Sequence, residues 1–555
     1  MSTTKSASAT AVELPFQIYA SQLEKLPPCQ ARCPNSGDIR SWIGIIAQRD
    51  SNGLSLDEAY DAAWQRLAEF NPMPATIGRI CPHPCEDLCS RKDKDGAVSI
   101  NALERFLGDW ALSRELDFPA PPEEPYPESI GVIGTGPASL SFAYQMAHRG
   151  YPVTMYDKDE HPGGMLRHAI PDYRLPSSTL DAEIARILAL GITLVGNIVV
   201  GEDITLKQLR ERHEMLFLGL GAQAARALGI PGEQGQGVFS GIDYLRRRKQ
   251  ARPTGCGRHV LVIGGGNTAV DAARSARREG ASVTLVYRRT ESEMPAAAGE
   301  ILDAKAEGIE FRFLSAPTRI VRDNGNIRHV EMQAMKLAEP DDDGRRRPVP
   351  VPGKFESLPA DTVIVAVSQA PGWLDLDAAL HAGNWLEAAE NGRVEARLFT
   401  GGDDLGPGIA SQAIGQGRHA AESAHAELRG LPSPDKSAVS PALPQDSVKT
   451  DYYADRERSS PPRLPPDEWL SNPDAEIDLT LGYKQASEEA ARCMSCGLCF
   501  DCQQCFMYCN PGGFTRVAET RPGRYFVMAL DACEGCGKCI EICPCGYLGP
   551  RDADT

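Results

Sequence analysis

Two cysteine runs crowd the C-terminal end of the chain, six thiols in EEAARCMSCGLCFDCQQCFMYCNPGG and five in DACEGCGKCIEICPCG. One register of the first run, Cys499, Cys502, Cys505 and Cys509, has the spacing C-x2-C-x2-C-x3-C, and Cys533, Cys536, Cys539 and Cys543 repeat it ahead of Pro544. Thiolates at that spacing wrap cubane iron-sulfur clusters, which carry single electrons, and in a pair of such runs the fourth cysteine of each ligates the other cluster. The expected ligand sets are therefore Cys499, Cys502, Cys505 and Cys543, and Cys509, Cys533, Cys536 and Cys539. Asn510 stands where the first run would normally have its proline. A paired zinc ribbon is the competing reading.

Five more thiols lie near the other end, Cys29 and Cys33 in PPCQARCPNSGDI and Cys81, Cys85 and Cys89 in GRICPHPCEDLCSR. A four-ligand zinc site would leave one of them over, so iron and sulfur are the better expectation there too. Cys493 and Cys496 fall outside the two regular runs, and Cys256 and Cys545 stay unassigned.

Between the cysteine regions lies the element that must deliver electrons. SIGVIGTGPASLSFAYQMAHRGYPVTMYD, Ser129 to Asp157, reads as strand, glycine turn, helix, strand and acid. Gly134 permits the tight turn, Gly136 lets the backbone approach a pyrophosphate at the helix N-terminus, and Asp157 is placed to accept a ribose hydroxyl. Ser139 fills the third glycine position of the fingerprint. A second unit, HVLVIGGGNTAVDAARSARREGASVTLVYRR, has Gly264, Gly265 and Gly266 in its turn, then Asn267 and Thr268, and ends on Arg288 and Arg289 where the first ends on an acid. Opposite charges at the two strand tips suggest two different dinucleotides. An arginine pair suits a 2′-phosphate, which favours NADPH over NADH as donor. A flavin unit interrupted by a nicotinamide unit predicts FAD and NAD(P)H, because flavin converts a two-electron hydride into single electrons for clusters.

The totals agree with a multidomain globular protein: 555 residues, 42% hydrophobic, and a net charge of −17 that argues against nucleic-acid and anionic-membrane partners. MSTTKSASATAV lacks the apolar core of a signal peptide, so a cytoplasmic location is expected, where clustered thiols bind metal rather than pair. The expected fold class is multidomain α/β. It comprises a helical iron-sulfur domain (15–127), a first flavin half (128–230), a nested nicotinamide domain (231–356), a second flavin half beginning near DTVIVAV (357–430), an extended Pro- and Ser-rich linker (431–486) and a bacterial-type ferredoxin domain (487–555).

The N-terminal cysteines, continuing into SINALERF, resemble the cluster domain shared by the small subunit of bacterial glutamate synthase and by pyrimidine dehydrogenase. The resemblance implies Cys33, Cys81, Cys85 and Glu104 as ligands of one cluster, and Cys29 and Cys89 as half of a second. The family completes that second cluster with a cysteine pair upstream, and Met1 to Pro28 contains none. EAARCMSC looks like the displaced pair, so Cys493 and Cys496 are expected to fold back onto Cys29 and Cys89, giving four cubanes in all. The same resemblance implies FAD contacts at Gly134, Gly136, Pro137, Ala138, Asp157 and Lys158, at Gly164, Met165, Leu166 and Arg174, and at Gly402, Asp403 and Ile409 of GGDDLGPGI.

With its fused ferredoxin domain the whole chain is most similar to the iron-sulfur flavoproteins that accompany dissimilatory sulfite reductase, and related fusions serve 2-oxoacid:ferredoxin oxidoreductases. The resemblance therefore implies electron transfer between NAD(P)H and a redox partner protein, in sulfur metabolism or beside such an oxidoreductase. A glutamate synthase small subunit and a non-catalytic wiring or assembly subunit are the alternatives, and a homodimer is left open. No acid and base dyad is expected, since hydride transfer needs placement above all. No cysteine lies between Cys89 and Cys256, so no redox C-x-x-C stands beside the flavin turn.

Overall fold

A computed structural model describes residues 18–340, 344–373, 385–434 and 440–551. The polar N-terminal tail and part of the Pro- and Ser-rich stretch lie outside the described residues. The first unit folds as strand Ile130–Ile133, helix Pro137–His148 and strand Val153–Tyr156. Its two strands sit inside a six-stranded sheet, parallel to Met215–Leu218, Leu398–Thr400 and Thr193–Val195, with Arg393–Glu395 antiparallel at one edge. IGVI and MLFL are buried along their whole length, as strands covered by helices on both faces must be.

The nested unit is a parallel sheet in the order Glu310–Phe313, Ser282–Tyr287, His259–Ile263, Thr362–Val365, Val238–Ser240. Here the structure differs from the sequence reading. DTVIVAV supplies the strand Thr362–Val365 to the nested sheet, so the flavin half does not resume at residue 357. A short, wholly apolar run fits the centre of either parallel sheet, and its pattern does not say which. The chain crosses between the units on two short strands that pair antiparallel, Ala224–Ala225 and Gln369–Ala370. A three-stranded antiparallel sheet, Ser315–Asp323, Asn326–Pro340 and Arg346–Pro359, is appended to the nested unit.

The N-terminal segment is helical. Helix Leu56–Ala68 opens with a capping box between Ser55 and Glu58, and Trp42, Tyr60, Trp64, Leu103 and Leu107 fill its core. That core is continuous with the flavin unit through Phe142, Ile184 and Phe217. Helices Pro74–Ile80 and Ile100–Ser113 touch backbone to backbone. A Cβ on Gly108 would stand 2.1 Å from the Ala75 nitrogen, and one on Gly78 2.5 Å from the Arg105 Cα, so no larger residue fits either place. The Glu183 carboxylate, from the flavin-unit helix Ser177–Leu188, accepts from Ala75 N at 2.7 Å and Thr76 N at 2.8 Å, tying the two domains together.

The segment expected as an extended linker is pinned along its length. Arg458 pairs with Glu86, Trp469 is buried beside Tyr173, and Arg463 reaches Asp303 at 2.7 Å. It leads into helix Tyr483–Ala490 and then to Arg492, which is 1% exposed in its side chain. Arg492 bonds Glu489 at 2.6 Å, Asp95 at 3.0 Å and the carbonyls of Asp95, Gly96 and Ala97, while Arg91 donates to the Arg492 carbonyl at 2.8 Å. Glu489 in turn accepts from Ser99 N at 2.7 Å. Removing one member of a buried ion network leaves its partners uncompensated, at a cost of about 3–5 kcal/mol. Arg492→Ala is expected to lose stability by ~3–5 kcal/mol in denaturant unfolding; a loss below ~1 kcal/mol would show that other contacts hold the returning segment.

Candidate flavin, nicotinamide and iron-sulfur sites

A cavity of about 500 Å³ lies at the carboxyl ends of the first sheet's strands. Every residue expected to contact FAD lines it: Gly134, Gly136, Pro137, Ala138, Asp157, Lys158, Gly164, Met165, Leu166, Arg174, Gly402, Asp403 and Ile409. Gly134 takes φ 90°, and a Cβ there would meet the Gly219 carbonyl at 2.2 Å, so the turn closes only on glycine. Gly136 differs: nothing lies within 4 Å of where its Cβ would be, leaving room for a ligand against the backbone. Three helices, Pro137–His148, Ala410–Arg429 and Asn267–Arg278, begin beside this cavity with no side-chain cap on their first N–H groups. Such free donors, at the positive ends of three helix dipoles, suit the pyrophosphates of two dinucleotides. Asp157 is held by Thr135 Oγ1 at 2.5 Å and by Asp159 N at 2.9 Å. The donor and cradle set therefore fits FAD.

On the nicotinamide side Asn267 and Thr268 line the cavity, whereas Gly264, Gly265 and Gly266 form the turn behind them. Gly264 repeats the constraint of Gly134, since its Cβ would meet the Ala366 carbonyl at 2.3 Å. The two arginines part company. Arg288 is exposed at the strand end, and Arg289 is buried with Nε donating to the Arg346 carbonyl at 2.8 Å. Arg174, though it lines the cavity, gives its guanidinium to the nested unit, to both Asp271 oxygens at 2.8 Å and to Glu300 at 3.1 Å. Tyr173 beside it lies under Arg278, whose guanidinium carbon is 3.9 Å from the ring centroid. Among the described residues no cysteine lines the cavity, and Cys256 packs against the nested unit's core.

Cys33, Cys81, Cys85 and Glu104 line one enclosed hollow in the N-terminal domain. Asn71 Nδ2 donates to Glu104 Oε1 at 2.8 Å, and burial pushes the Glu104 carboxyl up to about 7 and the Cys81 thiol up to about 12. The hollow abuts the large cavity: Ile80 and Pro82, on either side of Cys81, line the latter, and Cys81 Sγ lies 3.5 Å from Ser411 Oγ at the start of helix Ala410–Arg429. The close approach of Gly78 to Arg105 and of Gly108 to Ala75 lets Cys81, just past one helix, and Glu104, on the other, reach the same space.

A second hollow is lined by Cys29, Cys89, Cys493 and Cys496 with Arg40 and Arg91. Ile39 and Ile100 line both hollows, so a single layer of side chains separates them. Burial pushes Cys493 up to about 11 and Cys496 up to about 12. Arg40 secures the junction by donating to the Cys496 carbonyl at 2.8 Å and the Lys25 carbonyl at 2.6 Å.

Cys499, Cys502, Cys505 and Cys543 lie within electrostatic reach of one another, with Cys545 Sγ 3.9 Å from Cys543 Sγ. Tyr453 stands between this set and the second hollow. Its hydroxyl donates to the Met494 carbonyl at 2.8 Å, and its ring stacks on Phe500 at 5.7 Å. Cys509, Cys533, Cys536 and Cys539 line a third hollow with Ile18 and Tyr508. Among the described residues no three carboxylate, imidazole or thiol groups converge tightly enough to hold one metal ion; three of the four sets line hollows, the arrangement a polynuclear cluster needs.

Several contributors carry no sequence signal of their own: Asn71, Arg40 and Tyr453 sit in ordinary polar or aromatic contexts. Asp404 was obscured by its neighbour. Asp403 faces the cavity, but Asp404 is fully buried and accepts from Leu220 N at 3.1 Å, from Gly221 N and from Thr400 Oγ1 at 3.2 Å, joining the crossover to the flavin loop. Burial pushes its carboxyl up to about 7 from an ordinary 3.8. The folded state therefore binds a proton that the unfolded state has released, and stability from this group falls as pH rises through that window. Asp404→Asn should flatten the decline in melting temperature between about pH 4 and about pH 7; an unaltered slope would place the proton elsewhere.

Comparison with known proteins agrees with this geometry. Residues 24–116 match the 4Fe-4S domain II of dihydropyrimidine dehydrogenase, and residues 128–417 match the pyridine nucleotide-disulphide oxidoreductase family. The beta subunit of an NADP(+)-dependent formate dehydrogenase from Moorella thermoacetica is 38% identical, over 73% of this chain and 61% of its own length. The beta subunit of an NADPH-Fe(3+) oxidoreductase from Geobacter sulfurreducens is 34% identical, over 88% of this chain and 78% of its own length. The small chain of the NADPH glutamate synthase of Halomonas elongata is 30% identical, over 71% and 87%. No helix among the described residues is long and apolar enough to cross a membrane. More than half of the sequence falls within the larger match, and the chain belongs to the pyridine nucleotide-disulphide oxidoreductase family, with FAD and NAD(P)H as its cofactors and a 4Fe-4S domain at its N-terminal side.

Proposed function

We propose that this chain is an electron-transfer oxidoreductase that moves electrons between NAD(P)H and a partner redox protein, through FAD and four [4Fe-4S] clusters held by the four cysteine sets. The observation that carries the reading is contiguity. Residues flanking Cys81 line the dinucleotide cavity, Ile39 and Ile100 face both N-terminal hollows, and Tyr453 links the second hollow to the C-terminal cysteines. Bound FAD would supply the conversion of hydride to single electrons. The chain's own residues bind and orient: helix N–H groups hold the pyrophosphates, Asp157 accepts a ribose hydroxyl, and Thr135 fixes Asp157. No side chain is asked to act as acid or base.

Arg288 is our choice for recognising a 2′-phosphate, which makes NADPH the preferred donor. An arginine and phosphate pair contributes ~1.5–3 kcal/mol, so Arg288→Ala should raise the KM for NADPH roughly 10- to 100-fold and leave that for NADH unchanged. Equal effects on both nucleotides would remove this role. For the partner we favour dissimilatory sulfite reductase or a 2-oxoacid:ferredoxin oxidoreductase in the cytoplasm; the relatives' names, formate dehydrogenase and Fe(3+) oxidoreductase, speak for an electron-transfer subunit of some larger system.

Anaerobic titration tests the pathway. NADPH is expected to bleach the flavin and then to produce reduced-cluster signals in electron paramagnetic resonance; flavin and clusters silent to both nucleotides would leave a wiring subunit reduced from its partner. The returning pair has its own test. Cys493→Ser should lower iron by about four per chain and delete one signal while flavin content holds, and Cys256→Ser should change neither. Full iron in Cys493→Ser would sink the four-cluster assignment.

A further inference from the structure

The fourth cysteine set lies under an apolar face that is exposed among the described residues. Ile18, Phe506, Met507, Tyr508 and Leu530 are between 43% and 68% exposed, and Met507, at 68%, is the most exposed of the chain's large apolar side chains among the described residues. They belong together. Ile18 and Tyr508 line the same hollow as Cys533, Cys536 and Cys539, and the Ile18 amide donates to the Gly535 carbonyl at 2.7 Å. Phe506, Met507 and Tyr508 fill the short helix between Cys505 and Cys509, and the Leu530 carbonyl accepts from the Cys533 amide at 3.1 Å. Of all the chain's cysteines Cys536 alone is exposed. Folding alone would favour covering such residues, and soluble monomers seldom leave a contiguous patch of aromatic and Met side chains to water unless something binds there.

The rim is acidic. Asp531, Glu534 and Glu541 are exposed around the loop of Cys533 to Cys539, against two exposed bases that both face Glu541, Lys449 and Lys538, the latter at 3.0 Å. On the reading that the fourth set holds a cluster, we infer that this face is the docking site of the electron partner, a redox protein that presents an apolar surface, ringed by basic side chains, around a one-electron centre of its own. In each encounter one electron leaves the reduced cluster and reduces the partner's centre by one unit, with no proton or atom exchanged. Apolar contacts at the centre hold the complex, and the acidic rim steers a basic partner into place. A second copy of this chain fits less well, because its facing rim would be acidic too.

The experiment uses full-length protein reduced with dithionite, freed of excess reductant and mixed anaerobically with cytochrome c, a small carrier whose exposed haem edge is rimmed by lysines. Dithionite bypasses the nicotinamide, so a failed donor assignment and a failed docking face are told apart. Met507→Ser combined with Leu530→Ser is expected to lower the second-order rate of cytochrome c reduction at least about fivefold. Asp531→Lys should lower it further at low salt and lose that effect at high salt. Oxidation by ferricyanide, which needs no docking face, and the cluster signals should stay as in the unsubstituted protein, and Leu302→Ser, an exposed leucine of the nested unit, should change nothing. The inference falls if cytochrome c is not reduced, if the double variant reduces it at the original rate, or if that variant turns a dimer into a monomer, which would give the face to a second copy.

Discussion

The guanidinium of Arg492 decides where the C-terminal cysteine region of this molecule sits. It is buried with Glu489 and Asp95 and bonded to three successive carbonyls of the loop after Cys89, and Arg91 returns a bond to its own carbonyl. Buried ions are poor sources of net stability, but they are exacting about geometry, because every misplaced register leaves a charge without its partner. That property is what this junction requires. Cys493 follows Arg492 directly, so the network that fixes the arginine also fixes the returning thiols beside Cys29 and Cys89.

A similar logic operates between the dinucleotide units. Arg174, Tyr173, Arg274, Arg278, Glu300 and Glu307 form a charged and aromatic seam between the flavin loop and the nested helix, and Trp469 from the pinned strap lies against it. Polar seams of this kind hold orientation while leaving the cavity they border open to ligand. The N-terminal domain joins the flavin unit through an apolar core and the Glu183 cap, with Arg186 lying over Trp64 and Arg418 over Phe70 at the border.

Much of this was legible in the residues. Glycine turns identify dinucleotide sites because only glycine closes them, and Gly134 and Gly264 stand in such turns; regular spacing likewise leads to Cys509, Cys533, Cys536 and Cys539, which line one hollow. Long-range pairing is harder to read. Thr362–Val365 would suit either sheet, Arg289 could point outward or inward, and Arg174 could serve flavin or the nested unit, because each choice is made by residues far away in sequence. The linker reading failed for a related reason. Its composition is that of a free coil, and it is held instead by isolated side chains, Arg458, Arg463 and Trp469, each meeting a partner on another domain.

The second hollow is walled by thiols from both ends of the chain, and Ala20–Gln22 pairs with Leu548–Pro550 nearby. During synthesis the helical domain, both dinucleotide units and the strap must all emerge before Cys493 exists to meet Cys29. The N-terminal domain therefore waits, with two thiols facing an unfinished space, until Cys493 and Cys496 have left the ribosome. A product truncated before Cys493 keeps the residues of both nucleotide folds and of the first hollow but lacks two of the four thiols that wall the second, so the second hollow closes only after the strap has been made.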